Sequence, residues 1–167
     1  MADNNNADED VVAQSGGQEG DTVDDAEALY RRAPKGCIAY EDGKERISTT
    51  AFNDRNNKPS VDRAKLRNSP EDTKHAPTDG IIELSAAEVR GIRDVEITDP
   101  QTQPPTYYVV DVVPRPVDAD EEQGIKENPA HAQIEATPHA DANSRFRKIK
   151  EALAVIANQR GWLIRPQ

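Results

Sequence analysis

Cysteine occurs once in the 167 residues, at Cys37. No internal disulfide can form, which fits a reducing compartment. Aromatic residues make up 4% of the chain and hydrophobic residues 35%, little for a packed globule. No apolar stretch approaches the roughly 18 residues of a membrane span. No apolar h-region follows Met1, as a secretory signal would require. Together these absences predict a soluble, cytoplasmic protein with no membrane contact. The GxSxG, P-loop, GxGxxG and HExxH patterns are missing as well. Soft metal ligands are confined to Cys37, His75, His131 and His139, and no two of them have helical or CxxC spacing. Neither a metal nor a cofactor is therefore expected.

Charge is plentiful but uneven. Residues 1–28 hold nine of the 31 carboxylates and no Lys or Arg. The remaining 22 acidic residues face 21 basic ones, so the net charge of -10 belongs almost wholly to the N-terminal stretch. That stretch is rich in Asn, Asp, Gly and Gln and has almost nothing to bury, so it is expected to be a disordered acidic tail. Residues 29–167 are expected to form one domain.

Within that domain, Asp42-Gly43 lies between two short runs carrying β-branched and aromatic residues, 36–40 and 44–48. Both turn residues of such a hairpin need positive φ, which Asp-Gly tolerates. Ser60 is placed to cap a short helix over 61–66. Ile81-Ile82-Glu83-Leu84 reads as a strand. Ser85-Ala86-Ala87-Glu88 is a capping box, and Gly91 ends the helix it opens. Residues 94–98 alternate as a strand. Residues 106–113 are apolar on both faces except at Asp111 and read as a central strand. Asp111 itself must be paired, solvated at the sheet end or functional.

A 17-residue loop, 114–130, follows, with Asp118, Asp120, Glu121 and Glu122 and several prolines. Loops of that length are functional or disordered more often than not. A strand over 131–137 comes next, with Ala132, Ile134 and Ala136 on its apolar side. The last helix, 144–160, is capped from within 141–144, carries the stripe Phe146, Ile149, Leu153 and Ile156, and ends at Gly161. Trp162-Leu163-Ile164 then folds back. The fold class predicted is α+β: a mostly antiparallel sheet (81–84, 94–98, 106–113, 131–137), the C-terminal helix on one face, and an N-terminal hairpin.

The candidate binding residues gather at the end of the long loop. They are Asn128, His131, Gln133 and Glu135, with His131 fixed by the Asn128-Pro129 turn before it. At about 3.3 Å per residue, His131 and Glu135 stand roughly 13 Å apart and cannot share a proton or an ion. No nucleophile can be placed beside His131, so no catalytic residue is assigned. Cys37, between apolar neighbours, reads as a buried thiol. The cluster Arg145, Arg147, Lys148 and Lys150 reads as a solvated helix face rather than a nucleic-acid stripe.

Leu29-Tyr30-Arg31-Arg32, Ser48-Thr49-Thr50-Ala51-Phe52, Ser60-Val61-Asp62 and Glu127-Asn128-Pro129-Ala130-His131-Ala132-Gln133-Ile134, in that order, resemble the motifs of a set of small bacterial proteins with no assigned activity. The resemblance spans residues 29–160 and implies one structural unit of bacterial origin. A weaker resemblance links Arg32 and Ser48-Thr49-Thr50 to the arginine and Ser-Thr-Ser elements of ADP-ribosyltransferases, although the Glu-x-Glu element of that family is absent. The expected function is a non-enzymatic interaction or accessory protein whose partner is another protein. The rival is an enzyme using NAD or a nucleotide, with Arg32, Ser48 and His131 in a cleft.

Overall fold

Leu29-Tyr30-Arg31-Arg32 lies in a run free of glycine and proline and forms β1 (Ala28–Ala33). The computed structural model describes residues 22–97 and 104–167. After β1 comes the hairpin of β2 (Ile38–Glu41) and β3 (Lys44–Ile47), turned by Asp42 at φ 50° and Gly43 at φ 74°. Then come β4 (Ser60–Arg63), β5 (Gly80–Ser85), α1 (Ala86–Arg90), β6 (Val109–Pro114), β7 (His131–Thr137), α2 (Asn143–Arg160) and β8 (Trp162–Ile164). Six strands make one sheet in the order β6-β7-β4-β1-β5-β8, each antiparallel to its neighbour. The fold is α+β, with a mostly antiparallel sheet, one long C-terminal helix on one face and an N-terminal hairpin as a separate two-stranded sheet.

Successive side chains of a strand point to opposite faces, so the register assigns every residue to a side. Leu29, Val61, Ile82, Leu84, Val110, Val112, Ala132 and Ile134 share the inner face and are buried. Phe146, Ile149, Leu153 and Ala157 of α2 pack into the same core. Ile156, the last member of the stripe read from the sequence, is only partly buried, and Ala157 takes the closer position. Asn158 docks the hairpin on the helix. Its Oδ1 accepts from Ile47 N at 2.9 Å and its Nδ2 donates to Ile47 O at 2.9 Å, so the amide acts as a substitute strand neighbour.

Several expectations need correction. Residues 61–66 do not form a helix. Ser60–Arg63 is a strand, and only residues 64–66 make a 3-10 turn. The 94–98 stretch contributes a single bridge, Glu96 to Tyr107, with residue 98 outside the described residues. The 106–113 stretch is an edge, not a centre. Tyr107 and Val109 are 49% and 64% exposed, and among the described residues β6 has a strand, β7, on one side only. The centre is β1, whose arginines hide its role. Helix α2 starts at Ala142 with no side-chain cap bond, so the 141–144 cap is absent. The 114–130 loop is held by two isolated bridges, Val117 to Asn128 and Asp120 to Ile125. Asp111 is paired, accepting from Arg90 Nε at 2.7 Å.

The acidic N-terminal stretch divides at residue 22. Residues 1–21 lie outside the described residues, whereas 22–27 belong to the folded unit. Val23 is buried, Ala86 N and Ala87 N donate to Glu27 O and Asp25 O, and Arg90 binds both Asp25 and the carbonyl of Val23. Glu27 forms a buried two-pronged bond with Arg63, at 2.9 and 2.8 Å, and Lys65 Nζ adds a contact at 2.6 Å. Burial works to raise the Glu27 pKa. Bonds from Arg63, Lys65 and the Asp24 N–H outweigh it and bring the carboxyl down to about 2. No helix among the described residues is long and apolar enough to cross a membrane.

Candidate functional site

The outer face of the sheet holds the polar residues. Tyr30 of β1 is opposite Asp62 of β4, and Asp62 is opposite His131 of β7. Three strands distant in sequence thus place a phenol, a carboxylate and an imidazole in one row across the sheet. Arg32 sits two residues from Tyr30 on the same face. The 3-10 turn at Pro70–Thr73 and the loop after it bring Thr73 and His75 over the row. A cavity of about 330 Å³ opens there, lined by Tyr30, Arg32, Asp62, His75, Asn128 and His131 among others.

Asp62 organises this cavity. It is 5% exposed and accepts four bonds. Arg67 donates through Nε at 2.9 Å and Nη2 at 2.6 Å, Thr73 Oγ1 at 2.8 Å, and Asn128 Nδ2 at 3.0 Å. Burying a carboxylate is costly unless its oxygens are hydrogen-bonded, and here both are. The donors come from two segments remote from each other in sequence, so Asp62 ties β4, the 66–73 segment and the end of the long loop together. Asp79 is likewise occupied. It accepts from His75 N at 3.0 Å and Ala76 N at 2.9 Å, with Arg32 at a long 3.4 Å. Burial works to raise its pKa, and the two backbone N–H groups with Arg32 bring it below the usual carboxylate range.

Arg31, on the inner face, binds the chain that rims the cavity. Its guanidinium donates to Ala51 O, Ser60 O, Asn53 O and Asp54 Oδ2 at 2.7–3.0 Å. Asp54 stays ionised below its ordinary range despite burial, through Ser60 N, Arg31 and Arg55 N.

His131 is fixed by its own neighbour loop. Its Nδ1 lies 2.6 Å from the carbonyl of Arg115. A carbonyl only accepts, so Nδ1 carries the proton and Nε2 is the acceptor of the neutral ring. Arg115 also reaches Glu135 through Nε at 3.0 Å and Nη2 at 3.3 Å. One arginine therefore holds both ends of the β7 outer face.

Among the binding residues expected from sequence, Asn128 and His131 line the cavity. Gln133 follows on the same face outside it, and Glu135 is committed to Arg115 and, at 3.9 Å, to Lys58. Of the alternative trio, Arg32 and His131 share the cavity, but Ser48 does not. Ser48 accepts from Thr50 N as the cap of a 3-10 turn and lines a groove of about 620 Å³ between the hairpin and α2. The basic helix cluster is partly spent on ion pairs, Arg147 with Glu151 at 3.1 Å and Arg145 with Asp141 at 3.9 Å. Tyr30, Asp62, Thr73 and His75 carry no local signature of a site. Tyr30 and Asp62 fall within the shared motifs, but sequence reasoning assigned no role to any of the four.

A third groove, of about 500 Å³, runs between Arg90, Arg93 and residues 107–111 beside the open edge of β6. Its charged lining among the described residues is Arg93 and the Arg90–Asp111 pair. Cys37 is buried, and burial pushes its thiol pKa up. Among the described residues no three His, Cys, Asp or Glu side chains are placed to hold a metal ion. Compared with known proteins, the chain matches no family model, no curated protein and no solved structure.

Proposed function

We propose that this protein is a non-enzymatic binding module that receives another protein on the outer face of its sheet, through His131, Asn128 and the adjoining 114–130 loop. The observation that carries this reading is the row Tyr30, Asp62 and His131 in register on that face, opening into a polar cavity. The ring of His131 bonds only the Arg115 carbonyl among the described residues. Among the described residues no hydroxyl or thiol is hydrogen-bonded to it for activation, which favours recognition over nucleophilic chemistry. Gln133 and the Arg115–Glu135 pair extend the contact surface along β7.

Affinity capture from a lysate, read by mass spectrometry, tests this. Two variants are needed, His131→Ala and removal of 118–126. The deletion is bounded by the Val117–Asn128 bridge and leaves Arg115 in place to hold His131. Both variants are expected to lose a protein that the unaltered chain retains. An identical set of retained proteins in all three samples rejects the reading.

A second reading is an enzyme using NAD or a nucleotide, supported by the shared cavity of Arg32 and His131. It requires nicotinamide release or a modified product when the protein is incubated with NAD and lysate. Without either, it fails.

A further inference from the structure

The cavity contains polar groups that the protein itself leaves unused. Tyr30 Oη, the His75 ring and His131 Nε2 have no hydrogen-bond partner among the described residues. Arg32 makes one bond, the 3.4 Å contact with Asp79, out of the five N–H donors a guanidinium has. The carboxylates nearby are already occupied: Asp62 by Arg67, Thr73 and Asn128, Asp54 by Arg31 and the N–H groups of Arg55 and Ser60, and Asp79 by two backbone N–H groups. What remains to meet a ligand is one cation, two imidazoles and a phenol, brought in from β1, from the loop after Thr73 and from β7.

We propose that this cavity binds a phosphate monoester through Arg32, Tyr30, His75 and His131. A guanidinium matches phosphate oxygens with paired N–H donors. A tetrahedral anion accepts bonds from all sides, which suits donors arriving from three separate segments. A planar carboxylate would be filled by the Arg32 fork alone. The His75 ring offers a phosphate oxygen one N–H donor even when neutral. His131, whose Nδ1–H is held by the Arg115 carbonyl, donates from Nε2 when its ring carries both protons. Building on the protein-partner reading, the phosphate is carried by a phosphorylated side chain of that partner. A free phosphate ester has the same chemistry and is separated from it by experiment.

The test uses the full chain, with the ring signals of His75, His131 and Tyr30 followed by NMR while inorganic phosphate is added at constant ionic strength. Saturable shifts of all three are expected. Arg32→Ala is expected to weaken binding about tenfold or more, the usual cost of a charged hydrogen-bond partner. Arg147→Ala, on the remote face of α2, is expected to change nothing. Tyr30→Phe removes a hydroxyl with no partner among the described residues, so it keeps the fold. It is expected to weaken binding by about fivefold, and it serves as the deciding variant where Arg32→Ala unfolds. No saturable shift by about 10 mM phosphate, or equal effects of Tyr30→Phe and Arg147→Ala, overturns the proposal.

Tighter binding of a phosphoserine peptide than of its unphosphorylated form and of AMP supports the partner-borne phosphate. Tighter binding of AMP supports the free ester. Phosphate binding that persists while His131→Ala leaves the captured proteins unchanged keeps this site and rejects the partner reading instead.

Discussion

Replacing Glu27 by Gln tests whether the first described residues are part of the fold. Glu27 and Arg63 are 7% and 3% exposed, and their carboxylate–guanidinium fork is inside the protein. The folded carboxyl sits at about 2 against an ordinary 4.5. At about 1.4 kcal/mol per pKa step, that difference corresponds to about 3 kcal/mol of stability at neutral pH. Breaking a buried pair by removing one charge typically costs about 3–5 kcal/mol, so two routes agree on the size. The sign follows from the lowered pKa. The contribution is fully present above about pH 4.5. It fades as the pH falls towards 2, because the unfolded chain takes up the proton first.

Urea unfolding of Glu27→Gln and the unaltered protein at pH 7, 4.5 and 3 reads the difference directly. We expect a gap of about 3 kcal/mol at pH 7, nearly the same at pH 4.5, and clearly smaller at pH 3. Comparing the two proteins at each pH cancels the protonation of every other carboxylate. A gap below about 1 kcal/mol at pH 7, the range of exposed pairs, or one that does not change with pH, would show that the bond does not anchor the chain.

Two further outcomes follow from the same packing. A chain starting at Ala28 loses Val23 and Glu27 and is expected to be less stable by about 5 kcal/mol than one starting at Thr22, read by thermal melts. Gly80→Ala would set a Cβ 2.5 Å from Pro166 Cδ and 2.7 Å from Ile164 O. The C-terminal segment must then shift, at about 1–3 kcal/mol, and the fluorescence of Trp162, the single tryptophan, is expected to move to longer wavelength as β8 loosens. A melting point and spectrum identical to the unaltered protein would refute that close packing.

The hairpin, the Ser85–Glu88 capping box and α2 were legible because each is specified by residues a few positions apart. Asp42-Gly43 alone fixes a turn needing positive φ at both places. The stripe on α2 needs only its own spacing. β1 and β4 were not legible because their evidence is remote. Arg31 sits on the inner face of a central strand, a place an arginine is rarely expected. It is tolerated because carbonyls of residues 51, 53 and 60 receive its donors. Ser60 and Val61 with Leu66 satisfy a short helical spacing as well as a strand, and six residues cannot separate the two. β6 misled in the opposite direction. Apolar residues on both faces suggested neighbours on both sides, yet Tyr107 and Val109 remain at the sheet edge.

The candidate site was half legible for the same reason. His131 and Asn128 could be singled out by the Asn-Pro turn that delivers them, but the partner that gives Asn128 its role, Asp62, lies 66 positions earlier. Occupation of Asp62 also explains how a chain of net charge -10 can offer a cleft of donors. With Arg67, Thr73 and Asn128 turned onto that one carboxylate, and Asp79 met by backbone N–H groups, no nearby carboxylate is left to neutralise Arg32 beyond one long bond. Electrostatic character in a cavity this small depends on which charges are already matched, since the field of a matched pair falls off faster with distance than that of a lone charge, and distant exposed charges are screened over about 10 Å. The global charge therefore describes the N-terminal stretch, while the local pairing around Asp62 describes what the cleft can hold.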